Sequence, residues 1–269
     1  MNMEQKERKI WIDWFKVIGM FFIIWGHLFP YYFTDFVYSF SVPAFFWASG
    51  YLSKTGKDNR QFFDKLWKNL CVPYLLICII NSVLCIVAFH SHYLTVNGVL
   101  RSLIAIPLGI QSYADNTAVG VGPMWFVFTL IVIKCIHHFS NKTILIGLSV
   151  ISLLAISFFI TDHVAIAAAV TIICLPFYTI GLFCQDLDKR DLTIYKSVPI
   201  LAVVLLLTVV LYALAGMNHA PYLFKLEYGE DVFLMLLNAI IGIVILYLIS
   251  KIFERIGGGN SYKLLMQGW

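Results

Sequence analysis

The stretch KVIGMFFIIWGH, Lys16–His27, sets ten uncharged, mostly apolar residues between two basic side chains. Extended through 14–33, the run is long enough to cross a hydrocarbon core of about 30 Å as a helix. It is one of many such runs in a chain of 269 residues that is 60% hydrophobic and only 13% charged. Reading for apolar runs bounded by charges or turn residues places spans near 14–33, 36–53, 70–90, 123–139, 143–161, 163–184, 197–216 and 231–252. The expected fold is therefore all-α, a polytopic transmembrane helix bundle of about eight spans. No composition break is long enough for a linker, so residues 1–269 are expected to form a single membrane domain.

Eight spans put both termini on one side, and the basic residues choose it. With the N-terminus inside, seventeen of the nineteen Lys and Arg residues fall on inner segments or inner helix ends, leaving Arg101 and Lys225 outside. That bias is the positive-inside pattern, and both termini are expected to be cytoplasmic. The net charge of +4 then follows from topology. It does not describe a nucleic-acid surface, which gathers its basic residues on one soluble face. The leading MNMEQKERK lacks a small-x-small cleavage site after its apolar stretch, so the first helix is expected to be retained. Six cysteines show no CxxC or Cys/His ligand spacing, and no metal centre is expected.

Two connections exceed simple turns. KTGKDNRQFFDKLWKN, 54–69, mixes basic residues with Phe62, Phe63, Leu66 and Trp67 at helical spacing, as a helix lying on the cytoplasmic interface would. The outer segment 91–122 carries the apolar patch Val99 to Ile110, too short to span, and suggests a lid or re-entrant element.

In a helix, eleven residues at about 100° each make three turns plus about 20°, so Lys16 and His27 share one face about 16 Å apart along the axis. Lys16 at the inner end has an ordinary reading as a flanking charge whose stem snorkels toward water. His27 lies in the outer half, where an ionisable group faces the bundle interior or a wet cavity. A packed histidine bonded to a neighbouring helix is the alternative.

Lys16, ten residues, then His27 resembles the signature of the integral-membrane acyltransferase 3 family, bacterial proteins that acylate cell-surface sugars. Pro43, Phe45 and Phe46 leading into Ser49-Gly50-Tyr51 are similar to its FFxxSGY stretch. Lys65-Leu66-Trp67-Lys68 and Val72-Pro73-Tyr74 stand where it has RxxR and PY elements. Met124-Trp125-Phe126 resembles its WF opening of a later span. The four elements occur in order across residues 8–130.

The resemblance implies a membrane-bound O-acyltransferase of the bacterial inner membrane. It would carry an acyl group, most simply acetyl, from cytoplasmic acyl-CoA to a hydroxyl of a surface polysaccharide or lipid-linked sugar. Acyl-CoA is a co-substrate, and no bound cofactor is expected. Membrane lipids are the remaining partner, and nucleic acid is excluded. His27 would be the general base and Lys16 its companion in the catalytic set; imidazole suits proton transfer near neutral pH. Lys65, Lys68 and Arg60 would meet the phosphates of CoA, although a lysine offers a point charge where an arginine offers a planar fork. Ser49, Tyr51 and Trp125 would line the substrate channel. Family members carry about ten spans, so a chain of about eight ending at Trp269 is expected to be C-terminally incomplete. A second functional class is also open. In a proton-coupled carrier or exporter of a sugar-containing or small anionic solute, His27 would couple protons and the lysines would gate substrate.

Overall fold

A computed structural model of the protein describes residues 9–29, 33–54, 58–88, 96–110, 118–158, 167, 169–187, 200–219, 221–223 and 227–257. Its regular elements, among these residues, are helices. They are α1 (Ile10–Leu28), α2 (Thr34–Tyr51), α3 (Asn59–Leu66), a π-helical turn (Trp67–Cys71), α4 (Val72–Ala88), α5 (Val96–Leu108), α6 (Trp125–Phe139), α7 (Lys142–Phe158), α8 (Thr171–Leu187), α9 (Ile200–Asn218) and α10 (Val232–Gly257), with a short 3-10 turn, Gly122–Met124, before α6. Five stretches are long and apolar enough to cross a membrane: Ile10–Leu28, Asn59–Cys85, Gly122–Phe139, Ile200–Asn218 and Val232–Ile256. The other apolar helices, Asn97–Leu108, Lys142–Ile156 and Thr171–Gln185, are shorter. The all-helical membrane architecture is thus present, with five such stretches among the described residues where the sequence led us to expect eight spans.

The chain forms two compact units. The first unit takes its described residues from 1–51, 183–221 and 229–269, and α1, α2, α9 and α10 build it. Its core is aromatic. Trp11 meets the Tyr247 ring edge-on at 4.9 Å and the Tyr51 ring at 5.2 Å, while Trp47 stacks on Tyr51 at 5.4 Å. A Cβ at Gly242 of α10 would overlap Phe40 of α2, so glycine here sets how closely the two helices approach. Small residues serve lipid-embedded helices in this way because burial from lipid supplies no hydrophobic drive. The starting turn of α1 leaves backbone N–H groups without helical partners. One of them, on Trp11, donates to Glu254 Oε1 at 3.1 Å. Lys251 Nζ donates to the other oxygen of that carboxylate at 3.0 Å and stands 5.1 Å over the Trp11 ring.

The second unit takes its described residues from 52–182 and 222–228. Its core gathers Tyr74, Cys78, Ile106 and Val121, and Tyr74 Oη donates to the Ile106 carbonyl at 2.7 Å. Thr129 Oγ1 donates to the Ala167 carbonyl and Ser149 Oγ to Thr179 Oγ1, each at 2.8 Å, so buried hydroxyls link its helices.

Two connections are helical where the structure describes them. The amphipathic stretch at Asn59–Leu66 is helical, but it does not stand apart as an interfacial helix. It continues through the π turn into α4. The cause is visible in the sequence: Pro73 has no N–H, and its ring would clash with the carbonyl four residues back. The ladder widens just ahead of it, where the Val72 N–H reaches the Trp67 carbonyl five residues back. The apolar patch of the expected outer segment is also helical, as α5, and it is built into the unit: Ser102, Ala105 and Ile106 are buried. The residues 111–117 of that expected lid, and the ending GGNSYKLLMQGW at 258–269, lie outside the described residues.

Candidate functional site

α1 begins at Ile10, four residues before the expected start of its span, because Trp11, Ile12 and Phe15 bury against the aromatic core. Lys16 and His27 both lie on its exposed face, together with Met20 and Ile24. His27 sits in the last turn. Its Nδ1 donates to the Ile23 carbonyl at 3.0 Å, and its ring meets the Tyr38 ring edge-on at 6.4 Å. A carbonyl oxygen only accepts, so this bond requires the proton on Nδ1 and directs the lone pair of the neutral ring to Nε2. Tyr38 Oη in turn donates to the Gly26 carbonyl at 3.0 Å, and its ring packs where a Cβ of Gly26 would stand. The last turn of α1 is therefore fixed on two sides, and the imidazole with it.

The other expected residues separate. Ser49 is half-buried on α2. Tyr51 is enclosed, its hydroxyl accepting from Lys9 Nζ at 2.6 Å, which makes it part of the packed core of the first unit. Trp125 opens α6 in the second unit, half-buried against the Tyr74 core. Lys68 donates to Asp64 at 3.0 Å, both side chains being exposed, and Arg60 is exposed on α3. Lys65 lines a cavity to whose lining Lys68 and Arg60 do not contribute. Lys65 thus turns to the cavity while Lys68 turns to Asp64, one turn back on the same helix.

That cavity belongs to the second unit and has a volume of about 310 Å³. Lys54, Lys65 and Lys134 line it, with His137, His138, Ser53, Ser140, Asn69 and Tyr178 among its polar groups and Leu52, Phe62, Leu66 and Leu70 among its apolar ones. No carboxylate occurs among these lining residues. Three like charges around one cleft focus a positive potential, and the arrangement suits an anion. Its walls are held by specific contacts. His138 Nε2 donates to Asn59 Oδ1 at 2.8 Å while its ring stacks on Phe62 at 3.9 Å, nearly parallel at 2°. Lys134 Nζ stands 5.9 Å from the centre of the Tyr178 ring.

At the buried end of the cavity three polar atoms meet. Tyr178 Oη donates to Ser53 Oγ at 2.8 Å, and His137 Nδ1 lies 2.7 Å from Tyr178 Oη and 3.0 Å from Ser53 Oγ. Tyr178 is fully enclosed and His137 is 8% exposed. The family model described as an acyltransferase domain, of the acyltransferase 3 type, matches residues 9–265. The chain belongs to this acyltransferase family. No curated protein and no solved structure matches it. With its apolar helices, the family makes the protein a membrane acyltransferase.

Sequence reasoning overlooked Ser53, Lys134, His137, His138 and Tyr178 as site residues of this acyltransferase. Lys134, His137 and His138 carried a signal, since spacings of three and four put a lysine and two imidazoles on neighbouring positions at one end of α6. Ser53 and Tyr178 carried none. They are 125 residues apart, and only the fold joins them.

Proposed function

We propose that the protein is an O-acyltransferase that takes an acyl group, most simply acetyl, from cytoplasmic acyl-CoA. The acceptor is a hydroxyl of a surface polysaccharide or lipid-linked sugar at the bacterial inner membrane. The observation that carries this reading is the lysine cavity of the second unit, in a chain of the acyltransferase family. Acyl-CoA brings several phosphate charges to whatever holds it, and Lys54, Lys65 and Lys134 supply cations without competing carboxylates among the lining residues. Lys68 and Arg60 take a lesser part, the first being engaged by Asp64.

His27 is the base toward the acceptor in this reading. Its Nδ1 bond to the Ile23 carbonyl supports the assignment, because Nε2 is then the atom that takes the hydroxyl proton as the acyl carbon is attacked. Lys16, exposed on the same helix, contributes positive charge to that face and takes no proton.

The test is direct binding of radiolabelled acetyl-CoA to the purified protein in lipid nanodiscs. Each charge-assisted contact to a phosphate contributes roughly 1.5–3 kcal/mol, so Lys65→Ala/Lys134→Ala, which removes two, is expected to weaken binding by about a hundredfold or more. Unchanged affinity removes the cavity from the donor site. Mass spectrometry of surface glycans with and without the gene then reads the acyl transfer itself.

A further inference from the structure

We propose that Ser53 is a transient carrier of the acyl group, so that transfer proceeds in two half-reactions through an ester on this serine. The inference rests on the donor reading just given. Ser53 lines the lysine cavity, and a base and a second hydroxyl stand at hydrogen-bond distance from its Oγ: His137 Nδ1 at 3.0 Å and Tyr178 Oη at 2.8 Å. A nucleophile with a base in such reach, the base itself held by another group, is the recurring arrangement of covalent acyl transfer. Here Tyr178 Oη is the third group, donating to Ser53 Oγ and standing 2.7 Å from Nδ1.

The tyrosine also decides how the proton moves. Its Oη gives its own proton to Ser53 Oγ, which leaves the serine proton to pass directly to His137 Nδ1, 3.0 Å away. An ordinary packing role for the three groups would require neither a cavity beside the serine nor cations around it. Both are present: Lys54, Lys65 and Lys134 line the same cavity as Ser53, and cations there would oppose negative charge gathering on a thioester oxygen under attack.

In the first half-reaction Ser53 Oγ bonds to the acyl carbon as the carbon–sulfur bond of acyl-CoA breaks. The serine proton goes to His137 Nδ1 and then to the departing thiolate, leaving free CoA and an acyl ester. In the second, the acceptor hydroxyl attacks that ester. The acceptor's proton passes to His137 Nδ1 and on to Oγ as the bond between the acyl carbon and Oγ breaks, so on this route His137 stands in place of His27 as the base.

The experiment incubates the full-length protein in nanodiscs with [14C]acetyl-CoA and no acceptor. Thiol release is followed, and the protein is then digested for mass spectrometry. A burst of thiol of about one equivalent per chain, with an acetyl group on Ser53, is the expected result. Ser53→Ala should abolish both while still binding acetyl-CoA, and Ser53→Cys should restore the label as a hydroxylamine-sensitive thioester. If acetyl-CoA binds, glycan is acylated and Ser53→Ala retains full transfer, the covalent route is overturned and the donor reading stands. If the unmodified protein does not bind acetyl-CoA, both fall.

Discussion

His27 and His137 differ in what their Nδ1 atoms touch. The first gives its Nδ1 proton to a backbone carbonyl, while the second faces two hydroxyls, of which Tyr178 gives its proton to Ser53 and Ser53 carries one that Nδ1 can receive. The same residue type is thus set for different partners by its immediate neighbours. For His27 we expect His27→Ala to reach the membrane and bind acetyl-CoA normally, yet to lower glycan acylation by about a hundredfold or more, the usual worth of a general base. Glycan mass spectrometry beside a binding assay checks this, and undiminished acylation would remove His27 from the reaction. Lys16 and His27 were legible in the sequence because two basic groups in an apolar run have few reasons to be there. His137 was less so: two adjacent histidines at a helix end read equally well as a boundary. What selects it is contact with Ser53 and Tyr178, from separate parts of the chain.

Between Asn59 and Ala88 the chain is one helical path with a widened turn within it. The apolar content and amphipathic start of that path were plain in the sequence. The π turn was hidden, since hydropathy carries no sign of how Trp67–Cys71 is wound. Lys65 and Lys68 were grouped by spacing alone, and the structure gives one to the cavity and the other to Asp64. We expect Lys65→Ala to weaken acetyl-CoA binding by about tenfold or more, the worth of one lost phosphate contact, while Lys68→Ala changes it little. Equal loss in the two variants would show that Lys68 leaves Asp64 to join Lys65 at the donor.

At the scale of the molecule, the sequence announced a helical membrane protein through its long apolar runs and scarce charge, and helices occupy most of those runs. Run lengths were less exact, because a helix end is fixed by caps and packing as well as by hydropathy; α1 starts early for its tryptophan and α10 extends past its apolar part. The distribution of Lys and Arg makes a separate prediction about sidedness. Single cysteines at positions 142 and 255, in a background without other cysteines, are expected to react with an impermeant maleimide from the cytoplasmic side alone, and one at 101 from the outside alone. Labelling of 101 from the cytoplasm would break the eight-span arrangement. The carboxylate of Glu254 adds a constraint on vertical position. The apolar part of α10, Val232–Ser250, is about 28 Å long at 1.5 Å per residue and fills a hydrocarbon core by itself. Its charged last turn then stands among lipid headgroups, and Glu254 ties the Trp11 amide to that level. From Trp11 to His27 is about 24 Å of helix. The depth of the imidazole in the bilayer is accordingly gauged from the opposite leaflet, by one carboxylate acting as a plumb point for the whole of α1.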